Sequence, residues 1–199
     1  MTEREDRVSR VNPATGDVLL LHTIPDVKTV NNFNGLLGMA LHPEFNSNPY
    51  VFVVYNYDKN GHFLEKVVRY RYDGNTLIEP MIIVDDIIGL QVGNFIHNGS
   101  RLVITPDLKL FITTGDADIP TAPQNLNSKN GKVLRVNLDG TIPADNPFLN
   151  NPVWSYGHRN SQGLVYANNT LYNSEHGQDT DDEINIIQKG GNYGWRNVH

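Results

Sequence analysis

Three stretches of this chain repeat one pattern, and that repeat limits the fold more than any other feature. Aligning Met39, Leu102 and Leu164 superimposes an apolar strand, a turn, a second apolar strand, a polar loop, an alternating strand and a turn, at a spacing of about 62 residues. Helix signals are scarce. Short apolar runs bounded by Gly, Pro, Asn and Asp recur instead: Arg7–Val11, Asp17–His22, Leu36–Leu41, Tyr50–Tyr57, Glu65–Tyr72, Met81–Ile88, Arg101–Thr105, Leu110–Thr114, Lys132–Leu138, Gly163–Tyr166, Thr170–Asn173 and Glu183–Ile187. A unit of this length, built from such strands, cannot bury both its faces alone and has to stack on neighbours. The pattern therefore predicts an all-β chain whose leading architecture is a β-propeller, with an open β-sandwich as the alternative. Propellers close with ~4–8 blades. Three visible repeats predict a partial propeller of about three blades, a single domain over residues 1–199, cut at both ends.

Composition removes several function classes. The net charge of −6 is spread along the chain, with no basic face for nucleic acid. The one basic cluster, Lys66 to Arg71, alternates with Val67, Val68, Tyr70 and Tyr72 and reads as the solvent face of a strand. With no cysteine there is no disulfide, zinc–thiolate site or thiol nucleophile; this is compatible with an oxidising compartment. No apolar run reaches membrane-spanning length, and the charged start Met1–Arg7 has no signal-peptide core.

The candidate chemistry lies in loops. The loop after the second strand of a repeat offers Thr113–Asp118 and then Ser174–Gly177, while the entry loops hold Ile96–Arg101 and Gly157–Asn160. In a propeller these loops converge at one end, so His97, Asp116 and Arg159 would share a pocket as base, carboxylate and cation. A carboxylate beside a histidine gives an oriented general base, and an arginine stabilises a developing oxyanion. The run Asp179-Thr180-Asp181-Asp182-Glu183 is dense in hard oxygen ligands and fits calcium better than zinc; the other reading is a solvated acidic turn. Two N-glycosylation triplets, at Asn98 and Asn168, carry little weight in an Asn-rich chain.

Several runs together resemble the soluble quinoprotein glucose dehydrogenases and aldose sugar dehydrogenases, the glucose/sorbosone dehydrogenase family. They are Asn34–Pro43, His97–Leu102, Thr114-Gly115-Asp116, Gly131–Asn137, Gly157–Leu164, Asp181–Asn185 and Gly190–Trp195, in order over nearly the whole chain. The resemblance implies a six-bladed propeller that binds pyrroloquinoline quinone through Ca²⁺ and oxidises an aldose at C1 to the lactone. His97 would take the proton of the anomeric hydroxyl while hydride passes to the quinone, and Asp116 would orient His97. Arg159 would stabilise the quinone C5 oxygen, and Asn160 would contact the cofactor. The carbonyls of Gly177 and Gln178 would hold the cofactor's calcium. Glu183 and the Tyr193 carbonyl, with Asp182, would form a separate structural calcium site.

The same resemblance implies an aldose as substrate and a periplasmic or secreted location. The electron acceptor is undetermined, and a homodimer is a candidate assembly. Some positions depart from the family pattern. Phe33 stands where a Gln or Glu is common, Ile96 where glucose-oxidising members place an acid, and Gln178 replaces a proline. The later blades, which bring Lys and Arg to the cofactor's carboxylates, are not in this sequence. Two further readings stay open beside the dehydrogenase: a non-catalytic propeller used as a binding module, and a calcium-dependent lactonase.

Overall fold

The computed structural model describes residues 1–30, 34–89 and 97–197; Phe33 and Ile96 lie outside them. Among the described residues every regular element is a strand, and no helix is long and apolar enough to cross a membrane. Strands β1 (Thr2–Glu3), β2 (Arg7–Val11) and β3 (Val18–Thr23) form the first sheet. The second has β4 (Leu36–Leu41), β5 (Tyr50–Lys59), β6 (His62–Tyr72) and β7 (Leu77–Ile88). The third has β8 (Gly99–Ile104), β9 (Lys109–Thr114), β10 (Lys132–Asn137) and β11 (Val153–Tyr156). The fourth has β12 (Ser161–Ala167), β13 (Thr170–Glu175) and β14 (Glu183–Ile187).

Each sheet is an antiparallel meander whose spatial order is its sequence order. The first strands pack side by side: β4 on β8, β8 on β12, and β1 on β4. The sheets therefore stand as the blades of a propeller around their first strands. The three repeats seen in the sequence are the second, third and fourth sheets, and the opening strands supply the first.

Side-chain alternation explains why these strands need neighbours on both sides. β5, rich in β-branched and aromatic residues, sends Phe52 and Val54 toward Leu110, Ile112 and Leu134 of the third sheet. Its intervening residues, Val51, Val53 and Tyr55, pack with Val8, Ile24 and Leu36 on the other side. The third sheet divides in the same way: Phe111 and Val133 meet Leu171 and Ile187 of the fourth. A two-residue period is thus read out as two different cores, one on each face of a blade.

The opening strands share another device. The pairing of β4, β8 and β12 with their second strands slips at Leu36/Gly38, Gly99/Leu102 and Ser161/Gly163. A bulge at the start of each inner strand turns the incoming loop. The tight turn between β12 and β13 uses Asn168 and Asn169 at φ 49° and 59°, the left-handed pair a two-residue hairpin requires.

Two local expectations change. Lys66 does not lie on a solvent face: β6 is covered on both sides, and Lys66 is nearly buried. Its ammonium pairs with Asp26 at 2.6 Å and sits 4.2 Å from the Tyr57 ring centroid. The short β11, bounded by Pro152 and Gly157, has no alternation to mark it; it forms by pairing with β10 across an irregular register.

Between the second and third blades lies a buried acid, Glu65. It is 0% exposed, accepts a 2.5 Å hydrogen bond from the Ser100 hydroxyl, and has no partner for its other oxygen. Burial pushes its carboxyl up to about 8, against the lowering influence of Ser100 and Arg101. A raised folded-state value means that the stability gained from holding this proton is complete below the ordinary value of 4.5 and is lost as pH rises toward 8. The denaturation midpoint should therefore fall from pH 5 to pH 8 in the native protein, and Glu65→Gln should flatten that slope. An equal slope in both proteins would contradict the assignment.

Candidate active site

The site is built at the end of the blades where first strands begin and second strands finish. Chain direction alone brings together the loop entering β8, the loop leaving β9, the loop entering β12 and the loop leaving β13. Main-chain bonds join them: Asp116 N donates to Arg159 O (2.8 Å), Ala117 N to His97 O (3.2 Å) and His158 N to Gly131 O (3.2 Å). The fit leaves no room at Gly115, where an added Cβ would lie 1.8 Å from the His97 carbonyl oxygen. From below, the fully buried Lys132 ammonium donates to the carbonyls of Ala122 (2.7 Å), Pro123 (3.0 Å) and Asn130 (2.7 Å), fixing the long loop that carries Asp116. Burial pulls that lysine down to about 7.

His97 Nδ1 lies 2.6 Å from Asp116 Oδ1. Asp116 is 0% exposed, and its carboxylate also accepts the Asp118 amide (2.9 Å) and the Trp195 indole N–H (2.7 Å). Burial pushes the Asp116 carboxyl up, but the bond and charge of His97, then the Trp195 and Asp118 donors, outweigh it and hold the acid below the ordinary range. An ionised Asp116 is an acceptor, so in the neutral imidazole the His97 proton sits on Nδ1 and the Nε2 lone pair is left for a ligand. His97 lines a cavity of about 320 Å³ with Asp118, Arg159, Gln178, Asp179, Trp195 and Arg196.

Arg159 lies between this cavity and a larger one of about 760 Å³, and lines both. Its guanidinium is 5.3 Å from the Trp195 ring centroid and donates to the His176 carbonyl at 3.3 Å; its Nε is buried with no partner. The main chain here is held by Glu175, which accepts the Arg159 amide, His158 Nδ1 (2.8 Å) and the Ser161 hydroxyl (2.9 Å). Burial pushes the Glu175 carboxyl up, and these donors, His158 first, bring it below its ordinary value. His158 stacks on Tyr193 at 4.5 Å, and its Nε2 meets the Ser155 hydroxyl at 2.8 Å. Ser155, His158 and Glu175 have the connectivity of a nucleophilic triad, but Ser155 and His158 are 0% exposed. No substrate reaches that serine; the group is scaffold for Arg159.

Of the remaining expected residues, Asn160 is buried, and its Oδ1 accepts the Gly99 amide at 3.1 Å, tying two entry loops together. Gly177, Gln178, Glu183 and Tyr193 line the larger cavity. Asp182 accepts the Gly177 amide at 3.0 Å and lies 3.6 Å from His176 Nδ1, and Glu183 accepts Asn185 Nδ2 at 2.9 Å. Among the described residues no three His, Cys, Asp or Glu side chains are grouped to hold a metal. Any cation site here draws on main-chain oxygens. Those are dense at Gly177, where an added Cβ would meet the carbonyl oxygens of Thr180 at 1.8 Å and Asp181 at 2.8 Å. Such an all-oxygen set suits a hard cation. Sequence reasoning passed over Trp195, Arg196 and Glu175. The run Gly190–Trp195 stood out as a motif, but nothing in it signalled that the indole reaches Asp116, 79 positions away.

The Glucose / Sorbosone dehydrogenase family model matches residues 1–199. The chain belongs to this family. It is 41% identical over a 232-residue alignment to quinoprotein glucose dehydrogenase B of Acinetobacter calcoaceticus, covering 100% of this chain and 48% of that protein. It is 34% identical to an aldose sugar dehydrogenase of Escherichia coli, covering 88% of this chain and 49% of the relative. The structure of the PQQ-bound aldose sugar dehydrogenase of Streptomyces coelicolor superimposes with a TM-score of 0.88 at 36% identity, covering 98% of this chain and 57% of that one. This family member spans about half the length of the curated relatives it matches.

The contact at Gly115 yields a test of the site's packing. Gly115→Ala should push the His97 and Asp116 loops apart and lower stability by about 1–3 kcal/mol. The histidine ring resonances of His97 should shift with it. A variant with native stability and an unshifted His97 would contradict the packing.

Proposed function

We propose that this protein acts as a sugar dehydrogenase that oxidises an aldose at C1, using pyrroloquinoline quinone held with calcium. The observation that carries the reading is the buried Asp116–His97 pair opening on the same cavity as Arg159, in a chain of this family. The Arg159 side of the cavity suits a flat anionic group: Arg159 supplies positive charge and an unpartnered Nε–H, and Trp195 an aromatic face, whereas Arg196 is paired with Asp118 at 3.1 Å. The carbonyls of Gly177 and Gln178 would hold the cofactor's calcium. Glu183, the Tyr193 carbonyl and Asp182 would serve a second, structural one. When bound, the quinone supplies the two-electron acceptor.

The protein's own part is proton transfer and orientation. His97 Nε2 accepts the proton of the C1 hydroxyl as the C1–H bond breaks and the C1=O bond of the lactone forms. Asp116 stays ionised, holds the ring in the required tautomer and stabilises the imidazolium that results. Arg159 supplies positive charge where negative charge gathers on the acceptor side. Asn160 acts behind this, through its bond to Gly99.

The lactonase reading asks several carboxylate or Asn side chains, Asp116 and Asn160 among them, to ligate a metal. Asn160 Oδ1 already accepts the Gly99 amide. The oxygens of Asp116 are likewise engaged, by His97, Asp118 and Trp195, which favours the dehydrogenase. His97→Ala should lower kcat for aldose oxidation by about 10²–10⁴-fold. Binding of pyrroloquinoline quinone, followed by its absorbance, should change by less than about threefold, since the variant removes the base and leaves Arg159 in place. Undiminished turnover in that variant would overturn the assignment.

A further inference from the structure

Trp195 meets Asp116, Arg159 and Arg196 through its side chain. Its main chain is locked: Trp195 N donates to Gly157 O at 2.9 Å, and Gln124 Nε2 donates to Trp195 O at 2.9 Å. Gln124 is itself paired with Asn192 through bonds of 3.1 and 3.0 Å. The indole is therefore delivered to a fixed place. There its N–H donates to Asp116 Oδ2 at 2.7 Å, while the guanidinium of Arg159 lies 5.3 Å and that of Arg196 4.8 Å from its ring centroid.

We propose that Trp195 is the positioning residue that couples the proton-accepting and cationic halves of the site, its N–H fixing the Asp116 carboxylate behind His97 and its ring seating Arg159. This rests on the reading of His97 as the base. Oδ1 is shared by the His97 ring and the Asp118 amide, and the indole N–H is the hydrogen bond that holds Oδ2; without it the carboxylate can rock about its Cβ–Cγ bond and carry the imidazole with it. With Oδ2 also held, the carboxylate plane and the ring are set together. The charged groups that face His97 are Asp116, Asp118, Asp179, Arg159 and Arg196. Of these, Arg196 lies 3.8 Å from Asp116 Oδ2 and is the group placed to take over if the indole N–H is lost.

The two functions of the indole separate by mutation. Trp195→Phe removes the N–H and keeps a ring for Arg159. Trp195→Leu removes both. For Phe, we expect the Asp116 carboxyl, followed by ¹³C NMR without cofactor, to titrate about one unit higher, the scale of one hydrogen bond to a charged group. We also expect kcat about tenfold lower, with KM and the affinity for pyrroloquinoline quinone within about threefold. For Leu, cofactor affinity should fall by about tenfold as well, because Arg159 loses its seat. Matching behaviour of Phe and Leu, or an unmoved Asp116 titration in Phe, would overturn the proposal.

Should either variant fail to fold, the native protein still decides. Its Trp195 indole proton should exchange slowly and shift as Asp116 takes up a proton; a rapidly exchanging proton with no such response would overturn the proposal. Failure here is distinguishable from failure of the dehydrogenase reading. The titrations need no turnover, and an inactive His97→Ala protein with an unshifted Asp116 in Trp195→Phe would keep the base and remove the role of Trp195.

Discussion

The buried carboxylate of Asp116 is the interaction on which the site depends. Taking an ionised acid out of water costs several kcal/mol unless its oxygens are satisfied. Here they are, by three donors from three places: the ring of His97 before β8, the amide of Asp118 in its own loop, and the indole of Trp195 near residue 197. Each donor is held by the carboxylate as much as it holds it. Removing any one leaves a buried charge short of a partner, which is why the three segments behave as one unit. The depressed Asp116 value also means that this stabilisation is present above about pH 4 and is lost as the acid is protonated below that.

The propeller makes such a meeting possible with little specific design. In a meander, the start of the first strand and the end of the second share one edge, so every blade delivers two loops to the same end. Repeated bulges at the start of β4, β8 and β12 turn those loops toward the inner strands. Gly115 then permits contact closer than any side chain allows. A second buried acid, Glu175, does for Arg159 what Asp116 does for His97, collecting His158, Ser161 and the Arg159 amide. Both acids are held below their ordinary values by donors, whereas Glu65, with one oxygen unpartnered, is driven upward by burial. A histidine that supplies both a bond and charge tips Asp116 and Glu175 downward, and among the described residues Glu65 has none beside it.

Much of this was legible in the sequence. The 62-residue repeat carried the architecture, because alternating apolar strands with no helical alternative need neighbours on both faces. The boundaries of β2, β4 and β14 followed from their turn residues. His97, Asp116 and Arg159 were brought together by topology alone. What stayed hidden depends on long-range pairing. β11 exists because β10 offers it an edge, not because Val153–Tyr156 has a pattern. Lys66 looked like a solvent residue because alternation gives the face and not what covers it, and here Asp26 and Tyr57 do. Trp195 read as the end of a glycine-rich run, since an indole N–H carries no local mark of the carboxylate it will find. Phe33 and Ile96, read from the sequence as departures from the family pattern, lie outside the described residues.

The central claim is that these loops form the working face of a quinone-dependent sugar oxidation. The most direct measurement is a titration of pyrroloquinoline quinone with Ca²⁺ into the protein, followed by absorbance and then by anaerobic addition of glucose and other aldoses. Because the chain spans about half the length of its curated relatives, the titration is run on it and on a longer form that matches those relatives in length. The account predicts stoichiometric binding in at least the longer form and bleaching of the oxidised cofactor that requires both an aldose and His97. Binding by neither form, or binding with no reduction by any aldose, would contradict it.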